Sequence, residues 1–224
     1  MTDAPTGKIG AVTTGNGCED DAKRIQVSYL TLRRAIGCMG VLLPVVLAGG
    51  CVLIRRCCGL QETISHYYAT EMRDVFVGTL FTIGWFLFSY RGYDPKDNIA
   101  GTAACFCAMG VALFDGTSEN AYVYWAHIAC AAGLFLILAY FSICLFTKTH
   151  SSNGPTAKKK WRNRIYVGCG TVMLVCLALV ALEDLLVLSA WFPIKPPVFW
   201  LETLMLWAFG FSWLVKGETL LKDE

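Results

Sequence analysis

Three ionisable residues that stand inside or at the mouth of long apolar runs carry the chemical interest of this chain: Asp115, His127 and Glu202. A charged group within a bilayer costs about 2.5–3.5 kcal/mol on insertion scales, so a residue of this kind marks either a function or a packing clamp. A carboxylate beside a histidine fixes the imidazole tautomer and raises its proton affinity. The trio therefore suits a proton-linked site, a polar lipid headgroup, a metal, or an interhelical hydrogen-bond clamp. His66, Arg73, Asp74, Glu183 and Asp184 fall at the ends of neighbouring apolar runs and complete the set of candidate ligand-binding residues. Ser65 precedes His66, but neighbours in sequence seldom supply nucleophile geometry, and no Gly-x-Ser-x-Gly elbow is present. The histidines stand at 66, 127 and 150 without a His-x-x-x-His pair. No phosphate-binding glycine loop or zinc-ribbon spacing occurs either. The expectation is a binding pocket with no cofactor, no metal and no nucleic-acid partner.

The elements that must position these residues follow from composition. Of 224 residues, 55 % are hydrophobic and only 16 % are charged, where soluble domains carry about 25 % charge. The mean hydropathy is +0.50. A membrane helix needs about 20 mostly apolar residues. Six runs approach that length: Ala35 to Ile54, Val75 to Tyr90, Ile99 to Phe114, Ala121 to Phe146, Ile165 to Leu182 with an apolar extension to Phe192, and Val198 to Val215. They lack the period-two alternation of barrel strands, and backbone groups in lipid must be bonded within the segment. The sequence predicts an all-α polytopic membrane protein. A polar N-terminal tail (1–34) precedes a six-helix bundle (35–216), and a short tail (217–224) ends the chain. The opening has no apolar stretch near its start and does not read as a cleaved signal peptide.

Short loops rich in Lys and Arg stay cytoplasmic. With the N-terminus inside, the inner segments hold 15 of the 19 basic residues and the outer loops hold 4, which predicts both termini on the cytoplasmic side. The eight candidate pocket residues then all fall near the outer leaflet. The inner loop carries Lys158, Lys159, Lys160, Arg162 and Arg164, a topology determinant and a candidate contact for anionic lipid. Glycine and alanine at Gly101, Ala104, Ala108 and Gly110 allow close helix approach and predict a central third helix. Pro193, Pro196 and Pro197 make the last turn short, so helices five and six should be neighbours. The cysteines within the runs are expected to act as small hydrophobes.

The run Ser65-His66-Tyr67-Tyr68, then Met72-Arg73-Asp74-Val75-Phe76-Val77-Gly78, then Tyr90-Arg91-Gly92-Tyr93-Asp94 resembles a group of small bacterial membrane proteins of unassigned function. Trp200-Leu201-Glu202, Trp207-Ala208-Phe209-Gly210 and Trp213-Leu214-Val215-Lys216-Gly217 fit the same likeness. That resemblance implies six helices in a bacterial inner membrane and no particular activity. DRAM-like proteins are more distantly similar, in their six helices and outer polar residues. The alkaline ceramidase and adiponectin-receptor group, membrane hydrolases with a histidine-bound zinc, differs in its histidine spacing. The reading that follows is a non-enzymatic membrane protein with an outward polar pocket for a lipid headgroup or small solute. The alternatives are an intramembrane hydrolase using His127, Asp115 and Glu202 around a metal, and a scaffold for a partner membrane protein.

Overall fold

A computed structural model describes residues 14–54, 60–90, 95–148, 156–183 and 195–219. Within them the protein is all-α. We label the helices α1 (Thr14–Ile54), α2 (Arg73–Ser89), α3 (Pro95–Leu113), α4 (Ala121–Tyr140), α5 (Ala157–Ala181) and α6 (Pro197–Lys216). A short 3-10 turn, Ser65–Ala69, leads into α2, and a π-turn, Phe141–Leu145, extends α4.

Local chemistry sets several of these boundaries. Asn120 caps α4, its side chain accepting from the N–H of Tyr122 at 3.0 Å. Thr156 caps α5 in the same way, accepting from Lys159 at 3.2 Å. Each satisfies a backbone donor that the first turn leaves without a partner. Asp74 lies in the first turn of α2, where a negative charge suits the helix dipole. Pro197 opens α6, at a position where its missing N–H costs nothing.

Four stretches are long and apolar enough to cross a membrane: Ser28–Ile54, Ala121–Leu145, Ala157–Ala181 and Pro197–Lys216. The runs expected to form the second and third spans are helical, as α2 and α3, but neither is among those four. Helix α2 has 17 residues, and α3 opens on Lys96, Asp97 and Asn98, which thins its apolar content. The first helix differs from expectation at its start. Instead of a polar tail joined to a helix at Ala35, one helix runs from Thr14 to Ile54 with Pro44 inside it.

Apolar side chains cover the outside of the bundle as well as its inside. Leu53 is 83 % exposed, Phe106 69 %, Ile99 68 % and Trp125 64 %. Water penalises such surface at roughly 25 cal/mol per Å², while lipid does not, so this is the exterior of a bundle that meets hydrocarbon.

The centre of the bundle is α6. In its most apolar stretch 61 % of residues are buried, against 22–39 % for the other three long spans. It packs against α1 and α5 and touches α4, which realises the expected pairing of helices five and six. The third helix is not central as expected: α3 packs against α2 and α4. Its small residues serve those two contacts, as at Gly101, where a Cβ would come 2.5 Å from the Leu87 carbonyl of α2. Helices α1 and α6 meet backbone to backbone at Gly37 and Gly210. A Cβ on Gly210 would lie 2.6 Å from the Gly37 carbonyl oxygen.

Two apolar clusters fill the interior. One gathers Tyr90, Phe141, Phe146, Phe209 and Trp213, with Trp213 5.1 Å from Phe146 and 5.3 Å from Tyr90 in edge-on contact. The other gathers Leu43, Leu47, Tyr67, Phe76 and Phe199 beneath the 3-10 turn. Within the first, Ser142 donates to Ser212 at 3.0 Å, and Ser212 donates to the Phe209 carbonyl, so both buried hydroxyls are satisfied.

Candidate functional site

The segment before α2 and the starts of α4 and α6 lie at one end of the bundle with the end of α5, and a cavity of about 400 Å³ opens among them. Its polar lining comes from Thr63, Ser65, His66, His127, Glu183 and Glu202, and Phe135, Val198 and Met205 are among its apolar walls. A smaller, apolar cavity of about 60 Å³ lies against it. Ser65, His127 and Glu202 line both, so these three stand on the wall between the wetter and the drier space.

His127 is 3 % exposed. Its Nδ1 is 2.8 Å from the Phe114 carbonyl oxygen. A carbonyl only accepts, so Nδ1 carries the proton and donates, and Nε2 is left to accept or to take up a second proton. The turn after α3 comes close on that side: a Cβ on Gly116 would lie 2.9 Å from Nε2. Glu202 Oε2 accepts from the backbone N–H of Ile64, which ties α6 to the segment before α2. Among the described residues no hydrogen bond joins His127 to Glu202. They face one cavity, each anchored to a different backbone group.

Beside them, Thr63 Oγ1 is hydrogen-bonded to His66 Nδ1 and lies 3.0 Å from Ser65 Oγ. It also accepts from the His66 backbone N–H at 3.1 Å. The serine and the histidine are therefore joined through a threonine and not to each other. Thr63 was missed in the sequence. Its signal is a hydroxyl three residues before the His66 N–H, the spacing of a local side-chain cap.

Of the candidate residues, the structure brings His66, His127, Glu183 and Glu202 to the cavity. Asp115 is a neighbour of His127 but does not line it. Its Oδ1 accepts from both the N–H and the hydroxyl of Thr117, each at 2.7 Å. Partial burial works against its charge, but these bonds, with His127 and Arg73 nearby, hold the carboxyl below the usual carboxylate range. Arg73 lies over the Tyr68 ring at 4.4 Å and donates to its hydroxyl at 2.7 Å, so it turns onto Tyr68 and not to Asp74. Asp74 is exposed on the first turn of α2. Asp184 and His150 lie outside the described residues.

Among the described residues no three His, Cys, Asp or Glu side chains are placed to share a metal ion. His127, Asp115 and Glu202 are not such a group, although Asp115 lies near His127. Eight described cysteines are free thiols. No family model, curated protein or solved structure matches this chain.

Proposed function

We propose that this chain is a multi-pass protein of a bacterial cytoplasmic membrane, with six spans and both termini inside, that holds a polar lipid headgroup or small solute in its outer pocket. At about 1.5 Å per residue, α2 and α3 reach about 26 and 29 Å, close to the roughly 30 Å hydrocarbon core. The 15 to 4 division of basic residues supports the orientation.

The observation that carries the function is the convergence of His66, His127 and Glu202 on one cavity of about 400 Å³. Ligand sites are concave, mostly apolar, and furnished with a few fixed polar groups. The described lining holds two carboxylates, Glu183 and Glu202, and neither Lys nor Arg, which suits an occupant that donates from a hydroxyl or an ammonium group. Chemistry is not part of the proposal: among the described residues no three His, Cys, Asp or Glu side chains are placed to share a metal ion, and the Ser65 hydroxyl is bonded to Thr63.

The test is native mass spectrometry of the purified chain with dioctanoyl phosphatidylethanolamine or free ethanolamine, comparing wild type with His127→Phe and Glu202→Gln. Saturable binding by wild type that weakens in both variants, at unchanged helical content, supports the reading. Equal binding by all three, or none by wild type, contradicts it.

A further inference from the structure

Helices α4 and α5 are pressed together away from the polar pocket and hold the cavity between them beside it. A Cβ on Gly170 of α5 would run into the Ile143 side chain and come 3.3 Å from the Ala139 carbonyl oxygen of α4. Nearer the pocket, the cavity of about 400 Å³ is lined from α4 by Ile128, Ala132 and Phe135, and from α5 by Leu177 and Ala181. These positions recur every three or four residues, so each helix offers the cavity one face.

The mouth and the depth of this cavity describe its occupant. Trp125 and Ile128 line it and are also 64 % and 37 % exposed, so they stand where it reaches the exterior of the bundle. Ile128 lies about 10 Å along α4 from the helix start at Ala121, within a stretch apolar enough to cross a membrane. A mouth at that level opens sideways to acyl chains. Tyr124 and Phe135, both in the lining, are about 16 Å apart along α4, roughly half of a hydrocarbon core about 30 Å thick. A small solute bonded to His127 and Glu202 would leave the apolar walls at Phe135, Leu177 and Met205 without contacts, whereas an acyl chain would supply them.

We infer that the outer pocket takes a membrane lipid with one acyl chain inserted between α4 and α5 and its hydroxyl or ammonium headgroup at His127 and Glu202. That occupant presupposes the outer pocket proposed above and narrows it, from a headgroup or a water-borne solute to a lipid that enters from the side. A pocket of about 300–1,000 Å³ holds one drug-sized molecule, so the second chain of a two-chain lipid stays outside in the bilayer.

The test places the full chain in phosphatidylcholine vesicles with phosphatidylethanolamine that carries a diazirine midway along one acyl chain. After irradiation the label is mapped residue by residue by mass spectrometry. Met205 lines the cavity and is 1 % exposed, out of reach of lipid on the outside of the bundle, so label there reports a chain between the helices. Label on Met205 is expected. It should fall about fivefold or more in Ala132→Trp, which fills the space between α4 and α5. It should not change in Leu136→Trp, which adds the same bulk at a position 51 % exposed and outside the cavity lining. Equal label on Met205 in Ala132→Trp and wild type overturns the proposed route. A parallel titration with free ethanolamine separates this proposal from the pocket itself. Ethanolamine binding that weakens in Glu202→Gln, with no label on Met205, overturns the inserted chain and leaves the pocket standing. Failure of both probes removes the pocket and the chain with it. If Ala132→Trp does not fold, the presence or absence of label on Met205 in wild type still decides.

Discussion

Glu202 on α6 accepts a hydrogen bond from the backbone N–H of Ile64, 138 residues earlier in the chain. That one contact fastens the segment before α2 to the central helix and fixes one wall of the pocket. Ile64 is 5 % exposed, so its N–H has no ready substitute in solvent. Glu202→Gln keeps an acceptor and should leave thermal stability in detergent close to wild type. Glu202→Ala strands the N–H and should cost about 1–3 kcal/mol. Thermal unfolding followed by circular dichroism distinguishes the two; equal stability of the alanine variant would show that the bond does not hold the segment.

The crossing of α1 and α6 at Gly37 and Gly210 leaves no space for a side chain. Gly210→Val should force the helices apart and destabilise the fold by about 1–3 kcal/mol. Gly78 and Gly49 have nothing within 4 Å of a would-be Cβ. Gly78→Ala should therefore be neutral or stabilise by up to about 1 kcal/mol through helix propensity. A denaturation series in detergent reads both, and a harmless Gly210→Val would mean the helices do not meet there.

Lys148 pairs with Asp97 at 2.7 Å, and the side chains are 28 % and 2 % exposed. Removing the lysine leaves a buried carboxylate short of its cation. Lys148→Met should cost about 3 kcal/mol, the lower end of the range for buried pairs because the lysine is itself partly exposed. Asp97→Asn combined with Lys148→Met should recover part of that loss, since the double change removes both charges. An additive double variant would show that the pair is not coupled.

Asp115 gives an acid-side signature. Its carboxyl is held below its usual value of 3.8 in the folded protein. A depressed folded value means that the unfolded chain binds the proton first as pH falls. The stability Asp115 contributes is thus fully present above about pH 4 and is lost as pH drops toward the folded value. Asp115→Asn should flatten the stability curve in that window and leave it unchanged at neutral pH apart from a constant offset. Wild-type and variant curves that stay parallel below pH 4 would contradict the Thr117 anchoring.

Much of the architecture was legible because lipid makes a simple demand: long uncharged runs must be helices. All six described helices end within a few residues of where the apolar runs do, but α1 and α5 start well before theirs. The early start of α1 is instructive. Residues 14–34 are polar, so hydropathy ended the run at Ala35, but polarity does not break a helix and no proline or glycine cap interrupts the chain there. The central position of α6 was hidden for another reason. Small residues in α3 signal close packing without saying how many neighbours share it, whereas α6 is ringed by large side chains such as Phe209 and Trp213. For the site, sidedness brought His66, His127, Glu183 and Glu202 to one end. It could not show that Asp115 would spend its oxygen on Thr117, because that depends on the backbone of a turn, nor that Thr63 would mediate between Ser65 and His66.

The proposed orientation sets the polar pocket on the outer side of the membrane and the basic end on the inner side. The most direct measurement is labelling of single cysteines with a membrane-impermeant thiol reagent on intact cells, in a background with the native cysteines replaced. Thr117→Cys beside the pocket should react at once, and Lys160→Cys should react only after the membrane is opened. Reaction of both from the same side would contradict the arrangement of the bundle in the membrane and, with it, the outward pocket.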